Sequence, residues 1–313
     1  MNPSGVAFCV SSAAAYGAMG IFGKLAYDEG ATVGTLLATR FVVAALLFWL
    51  VTIGTGHGGE LRSLARRDVG FALALGGIGF GAQATGYFTA LGRIDASLLS
   101  LLVYTFPVIV AVAAVLLGRD RASRRTAVAL TLASAGLVLV LAGAASGALD
   151  PVGTALGLAT AVVYSVYVLV SESMVSRLSP LTLSTLVCTG AAVSLTVGSA
   201  ALGQLRPGDV SAAGFGWLIV LAVVSTVVAV GLFFAGLQRV GPTAASILST
   251  VEPLVTVVLA TLIFRESFGP LQIAGAALVL LSVLAVQTTT TPTPATKSTT
   301  APTSLASPLP EAA

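Results

Sequence analysis

The stretch from Ser246 to Ala260, SILSTVEPLVTVVLA, sets a carboxylate, Glu252, directly before Pro253 inside an otherwise apolar run. Two kinds of chemistry are open to it. The cost of burying a bare charge favours holding a substrate cation or taking up and releasing a proton. Alternatively the carboxyl patches the backbone, because Pro253 has no N–H to give the Ser249 carbonyl. Pro107 strands the Val103 carbonyl in the same way with Phe106 beside it, so such a proline does not require a glutamate. Pro107 and Pro253 are therefore expected to kink their helices, and Glu252 to serve proton or cation coupling. Arg40 is the other ionisable group deep in an apolar run. Its planar fork suits a substrate carboxylate or phosphate, and its structural alternatives are snorkelling and tying helices through carbonyls. Intramembrane charges cost on the order of 2.5–3.5 kcal/mol each, which makes both residues functional candidates. Tyr16, Gln83, Tyr87, Tyr104, Tyr164, Tyr167 and Ser249 complete a candidate substrate-binding set. Singly each fits an interhelical hydrogen bond; together they supply the few polar groups a small-molecule site needs on an apolar wall.

Other chemistries find no support. No phosphate-binding glycine loop of the Walker type, no HExxH and no CxxCH occurs, and His57 sits in a polar loop. Cys9 and Cys188 lie in separate apolar stretches, far from companions that would make a disulfide or a metal site. No cofactor and no metal is expected. An intramembrane enzyme would need paired carboxylates, a serine–histidine set or metal ligands at depth, and one deep Glu without a deep His offers none of these.

The elements that must position these groups follow from hydropathy. The 313 residues are 56% hydrophobic and 9% charged, with a mean hydropathy of +1.01, well above a soluble domain. About 20 mostly apolar residues cross a bilayer, and ten such stretches occur, at 6–26, 33–53, 69–91, 96–117, 126–144, 152–170, 181–202, 215–237, 243–264 and 271–286. The leader MNPSG has no basic residue, so the first stretch reads as an uncleaved helix. With the N-terminus in the cytoplasm, the inner side receives Arg62, Arg66, Arg67, Arg119, Arg121, Arg124, Arg125, Arg177, Arg239 and Lys297, and the outer side only Lys24, Arg93, Arg206 and Arg265. That bias fits the positive-inside rule and a multi-pass protein of the cell (inner) membrane with both termini cytoplasmic. It makes a nucleic-acid surface the weaker reading. The Thr/Pro-rich tail, 287–313, cannot bury enough apolar surface to fold and reads as a disordered cytoplasmic segment.

The chain is also written twice. At an offset of 146, Phe88, Arg93, Ser100, Pro107 and Arg119 match Phe234, Arg239, Ser246, Pro253 and Arg265; at 148, Gly5 and Tyr16 match Gly153 and Tyr164. This divides the chain into five-helix repeats at 1–146 and 147–286. An odd number of helices per repeat sends the second half into the membrane upside down, so the expected fold is all-α, with ten transmembrane helices in two inverted repeats. Secondary transporters are built this way, because exchanging the conformations of the halves turns an inward-open form into an outward-open one.

The span-two TLLATRF, the proline-centred fourth and ninth spans and the EP...FRES...LQIAGAALVL run resemble the paired EamA domains of the drug/metabolite transporter superfamily. The resemblance covers about residues 5 to 286. It departs where LLGRDR, containing Asp120, stands in place of the usual glycine–glutamate pair. It implies export or exchange of small metabolites by alternating access without ATP, with amino acids the favoured class and protons a candidate coupling ion. A multidrug or sugar/nucleotide-sugar carrier of the same superfamily, or a non-coupled channel, is the alternative. The expected partners are the lipid bilayer and a small-molecule substrate, with no nucleic acid, in a monomer or homodimer.

Overall fold

A computed structural model describes residues 2–56, 58–117, 124–144, 150–175, 177–240, 248–249, 251–266 and 269–287. Among these, every regular element is helical. The ten principal helices are α1 (Pro3–Asp28), α2 (Val33–Gly54), α3 (Arg66–Leu91), α4 (Ala96–Val103 and Phe106–Leu116) and α5 (Arg124–Ala144). They continue with α6 (Pro151–Val175), α7 (Pro180–Ala201), α8 (Ala212–Ala222, Val223–Val228 and Ala229–Val240), α9 (Val251–Phe264) and α10 (Pro270–Gln287). Six are long and apolar enough to cross a membrane, and four shorter apolar helices fall in α4, α5, α9 and α10. One helix falls in each of the ten expected stretches; the start of the ninth stretch at 243–247, the tail from 288, His57 and Asp120 lie outside the described residues.

Helix starts are written locally. Asn2, Thr32, Ser179 and Ser211 each cap a helix N-terminus by accepting a backbone N–H, satisfying donors that would otherwise be orphaned in an apolar medium. Pro opens α1, α6, α7 and α10, where its missing N–H costs nothing. Gly30, with φ of 89°, turns α1 into α2, and a Cβ there would collide with the Asp209 carbonyl across the interface between the halves.

The packing obeys an exchange rule. α1 packs on α8 and α9, as α6 packs on α3 and α4; α2 packs on α8, as α7 packs on α3. The remaining principal contacts, α2 with α7, α4 with α9 and α5 with α10, join equivalent helices. Swapping the first half for the second maps this set onto itself, as a two-fold relation between the repeats requires.

Three features were not expected from the sequence. α1 is broken at Ala18 into Pro3–Gly17 and Met19–Asp28. α3 and α8 each contain a π-helical segment, Leu75–Phe80 and Val223–Val228, at the same place in the two halves, 148 residues apart. Pro107 sits at an interruption of α4 instead of kinking a continuous helix, in the first turn of the segment that restarts at Phe106, and Pro253 lies in the first turn of α9 as described from Val251; a proline in a first turn displaces no hydrogen bond.

Candidate functional site

Glu252 stands in the first turn of α9, half-buried, and among the described residues its carboxylate has no hydrogen bond or ion pair. The backbone beside it is provided for by other groups. The Ser249 carbonyl accepts the Tyr104 hydroxyl at 2.6 Å and the Glu252 N–H at 3.0 Å, so a tyrosine from the other half, together with the local turn, does what a patching glutamate would have done. On the opposite flank, the Thr256 hydroxyl donates to the Gly17 carbonyl at 2.8 Å. Gly17 sits so close to α9 that a Cβ would come within 2.7 Å of the Glu252 carbonyl. The break in α1 therefore lies against the first turn of α9, next to Tyr16.

The other candidates gather around this point. Tyr16 stands within electrostatic reach of Tyr164, Glu252, Arg40 and Cys188; Tyr87 within reach of Glu252 and Arg40; Tyr104 within reach of Glu252 and Tyr164. Repeat partners thus meet across the relation between the halves: Tyr16 with Tyr164, and Arg40 with Cys188. Rings carry the wall onward. Phe106, the repeat partner of Glu252, packs on Tyr104 at 5.9 Å and on Tyr164 at 4.5 Å between centroids. Tyr164 then stacks on Tyr167 at 6.1 Å, Tyr167 on Phe80 at 5.5 Å, and Phe80 meets Phe41 edge-on at 5.1 Å.

Arg40 closes this wall. It is 3% exposed, its guanidinium lies 5.1 Å from the Phe41 ring and 5.4 Å from the Phe88 ring, and its Nε donates to the Thr226 hydroxyl at 3.0 Å. Among the described residues its two Nη groups have no hydrogen bond. It neither snorkels nor ties helices through carbonyls. The two rings and one hydrogen bond hold the side chain and leave the forked end for another partner. Thr226 was missed in the sequence because one threonine in VVSTVV reads as filler; the π segment of α8 carries it to Arg40.

Gln83 is buried one turn from Tyr87 on α3, and no hydrogen bond to its amide is found among the described residues. Ser249 is half-buried next to Tyr104. Cys9 and Cys188 are free, buried thiols. No group of three or more metal-ligating side chains occurs among the described residues. A shallow groove lined by Thr131, Ser134, Ala135, Val138 and Leu139 has no ionisable group and lies on α5, which contributes nothing to the cluster. Trp49 and Trp217, both half-buried, are held by one contact each: Trp49 donates to Thr189 at 3.0 Å and Trp217 stacks on Phe22 at 6.0 Å.

A bundle of apolar helices in two exchangeable halves, with its few deep polar groups converging between them, defines a multi-pass membrane transporter rather than an enzyme. The sequence profile of the EamA-like transporter family matches residues 3–142 and 151–288, and the chain belongs to that family. It is similar to an uncharacterized transporter of Bacillus subtilis strain 168, YcbK, at 25% identity over 286 residues, covering 87% of this chain and 89% of the relative. An uncharacterized transporter of Archaeoglobus fulgidus is 30% identical over 200 residues, covering 63% of this chain and 69% of its own. A solved crystal structure, described only as that of a protein, shares the fold with a TM-score of 0.64 at 15% identity, over 92% of this chain and 98% of its own.

Proposed function

We propose that this transporter is a secondary carrier working by alternating access, and that it moves small metabolites bearing an amino group, amino acids foremost, outward across the cell membrane. The observation that carries the reading is that Tyr16 and Tyr87 each stand within electrostatic reach of both the Glu252 carboxylate and Arg40, neither the carboxylate nor the Nη groups having a hydrogen bond among the described residues. A zwitterion fits such a pair with its ammonium on Glu252 and its carboxylate on Arg40, while the ring wall from Tyr104 to Phe41 takes the side chain. A proton and an ammonium compete for the same carboxylate, which makes exchange of one for the other the natural coupling. The arginine distribution supports a cytoplasmic location for both termini.

Counterflow tests the reading. Proteoliposomes holding the full chain and preloaded with an unlabelled amino acid mixture are expected to take up labelled amino acid transiently above equilibrium. Uptake that never overshoots, for any amino acid preloaded, would remove the carrier reading and leave a channel. Overshoot with other amines and none with amino acids would move the substrate class.

A further inference from the structure

A second polar assembly sits at the mouth where α1, α3 and α9 end. Glu266, two residues beyond α9, has a side chain only 8% exposed and pairs with Lys24 of α1 at 3.0 Å. Its carboxylate also accepts the N–H groups of Ala96 at 3.2 Å and Ser97 at 3.3 Å, and the Ser97 hydroxyl at 2.5 Å. It thereby caps the start of α4, where Asp95 makes no side-chain cap of its own. The chain adopts an uncommon conformation to deliver it: Arg265 is the one non-glycine residue with positive φ among those described, at 57°. Lys24 is held further by Asp95 at 3.6 Å and by the Phe264 ring at 5.4 Å.

These contacts join an element of the second half to two elements of the first, so they must part if this mouth opens. The sequence does not repeat the pair. At the offset of 148, Lys24 corresponds to Glu172; at 146, Glu266 corresponds to Asp120. Exchanging the conformations of the halves therefore sets two acids where a lysine and a glutamate stood, and two acids make no ion pair.

We propose that Lys24 and Glu266 are the gating pair of this mouth, a one-sided latch that keeps it shut until the halves exchange conformations. The inference rests on the carrier reading above. A buried, charge-assisted contact of this kind restrains opening by roughly tenfold or more.

Ala96, fully buried beneath the pair, supplies the reporter. In the full chain carrying Ala96→Cys, the rate of modification by a membrane-impermeant maleimide is read at residue 96 by peptide mass spectrometry. Glu266→Gln keeps an acceptor for the Ser97 donors and removes the charge; Lys24→Met keeps the length of the stem. Each is expected to raise labelling roughly tenfold, the double variant no further than either single, and Lys24→Arg not at all. Rates equal to wild type in both single variants, or increases that multiply in the double, overturn the latch. Loss of the slow rate in Lys24→Arg assigns Lys24 to packing and overturns it as well. Wild-type counterflow is scored separately: its absence sinks the carrier reading, whereas counterflow together with latch-independent labelling sinks the latch alone.

Discussion

Helices α4 and α9 hold equivalent places in the two halves, and both restart at a proline, but they resolve the break differently. In α4 the side-chain contact at the break is local. The Thr105 hydroxyl donates to the Leu102 carbonyl at 2.7 Å, and the neighbouring position is Phe106, packed among tyrosines. In α9 the carbonyl at the break, Ser249, is held by Tyr104 reaching across from α4, and the neighbouring position is Glu252. In α9 the Ser249 carbonyl is satisfied without the Glu252 side chain, so the carboxylate answers to something other than the proline. The same comparison marks where the two halves differ: at one repeat position the first half carries the Phe106 ring and the second the Glu252 carboxylate.

The largest expected effect breaks this comparison at its charged member. Glu252→Gln keeps size and hydrogen-bonding capacity while removing ionisation, and is expected to lower proton-dependent exchange roughly thirtyfold or more, as the loss of one member of a desolvated charge pair does. The check is initial counterflow rate against pH in proteoliposomes with matched protein content. A Gln variant with the wild-type rate and pH profile would return Glu252 to a structural role.

Next comes the tie between the two breaks. Tyr104→Phe removes the cross-half donor and leaves the Ser249 carbonyl only the Glu252 N–H, at a cost of about 1.5 kcal/mol, and frees the first turn of α9 that carries Glu252. Thermal unfolding in detergent should show this loss, and substrate affinity should fall with it. Thr105→Val in α4 should cost less, about 1 kcal/mol, and leave affinity unchanged. Equal effects from the two substitutions would mean that the breaks are equivalent after all.

Much of this arrangement was legible in the chain. Hydropathy marked the ten helices because each must satisfy its own backbone in lipid. The repeat was visible in residues that hydropathy does not select, such as Arg93 with Arg239 and Tyr16 with Tyr164. Other parts left no signal. LGGIGF and VVSTVV share no identity at aligned positions, so two matching π segments could only be found in space. Gly17 before the break in α1 looks like any glycine of an apolar helix. Glu266 read as one more charge at a helix end, because sequence does not tell a solvated carboxylate from one folded back over a helix N-terminus.

A smaller effect sharpens the other side of the site. Arg40→Lys preserves charge but not the planar fork that lies between Phe41 and Phe88 with Nε on Thr226. Substrate affinity is expected to fall roughly tenfold with the maximal rate much less affected. Removing the carboxylate from the substrate, as in the corresponding amine, should erase the difference between Arg and Lys. If the amine is still discriminated, Arg40 acts through the helices and not on the substrate.

The smallest expected effect separates the two carboxylates that bracket α9. Burial pushes the Glu266 carboxyl up, but the hydrogen bonds from Ser97 and the Lys24 ammonium outweigh it and hold the group below its ordinary value of 4.5. A carboxyl depressed in this way contributes its full restraint at pH values above the ordinary range and loses it only as pH falls through the lowered value. Labelling of Ala96→Cys, taken as a ratio to the same reporter in Glu266→Gln, should therefore stay flat from neutrality down to about pH 5, and the two rates should converge only in stronger acid. Among the described residues Glu252 has no such donors, so exchange should respond to pH across a range in which the latch does not. Convergence of the labelling rates near neutral pH would tie the latch to the same titration as transport, and the two ends of α9 would then be one switch instead of two.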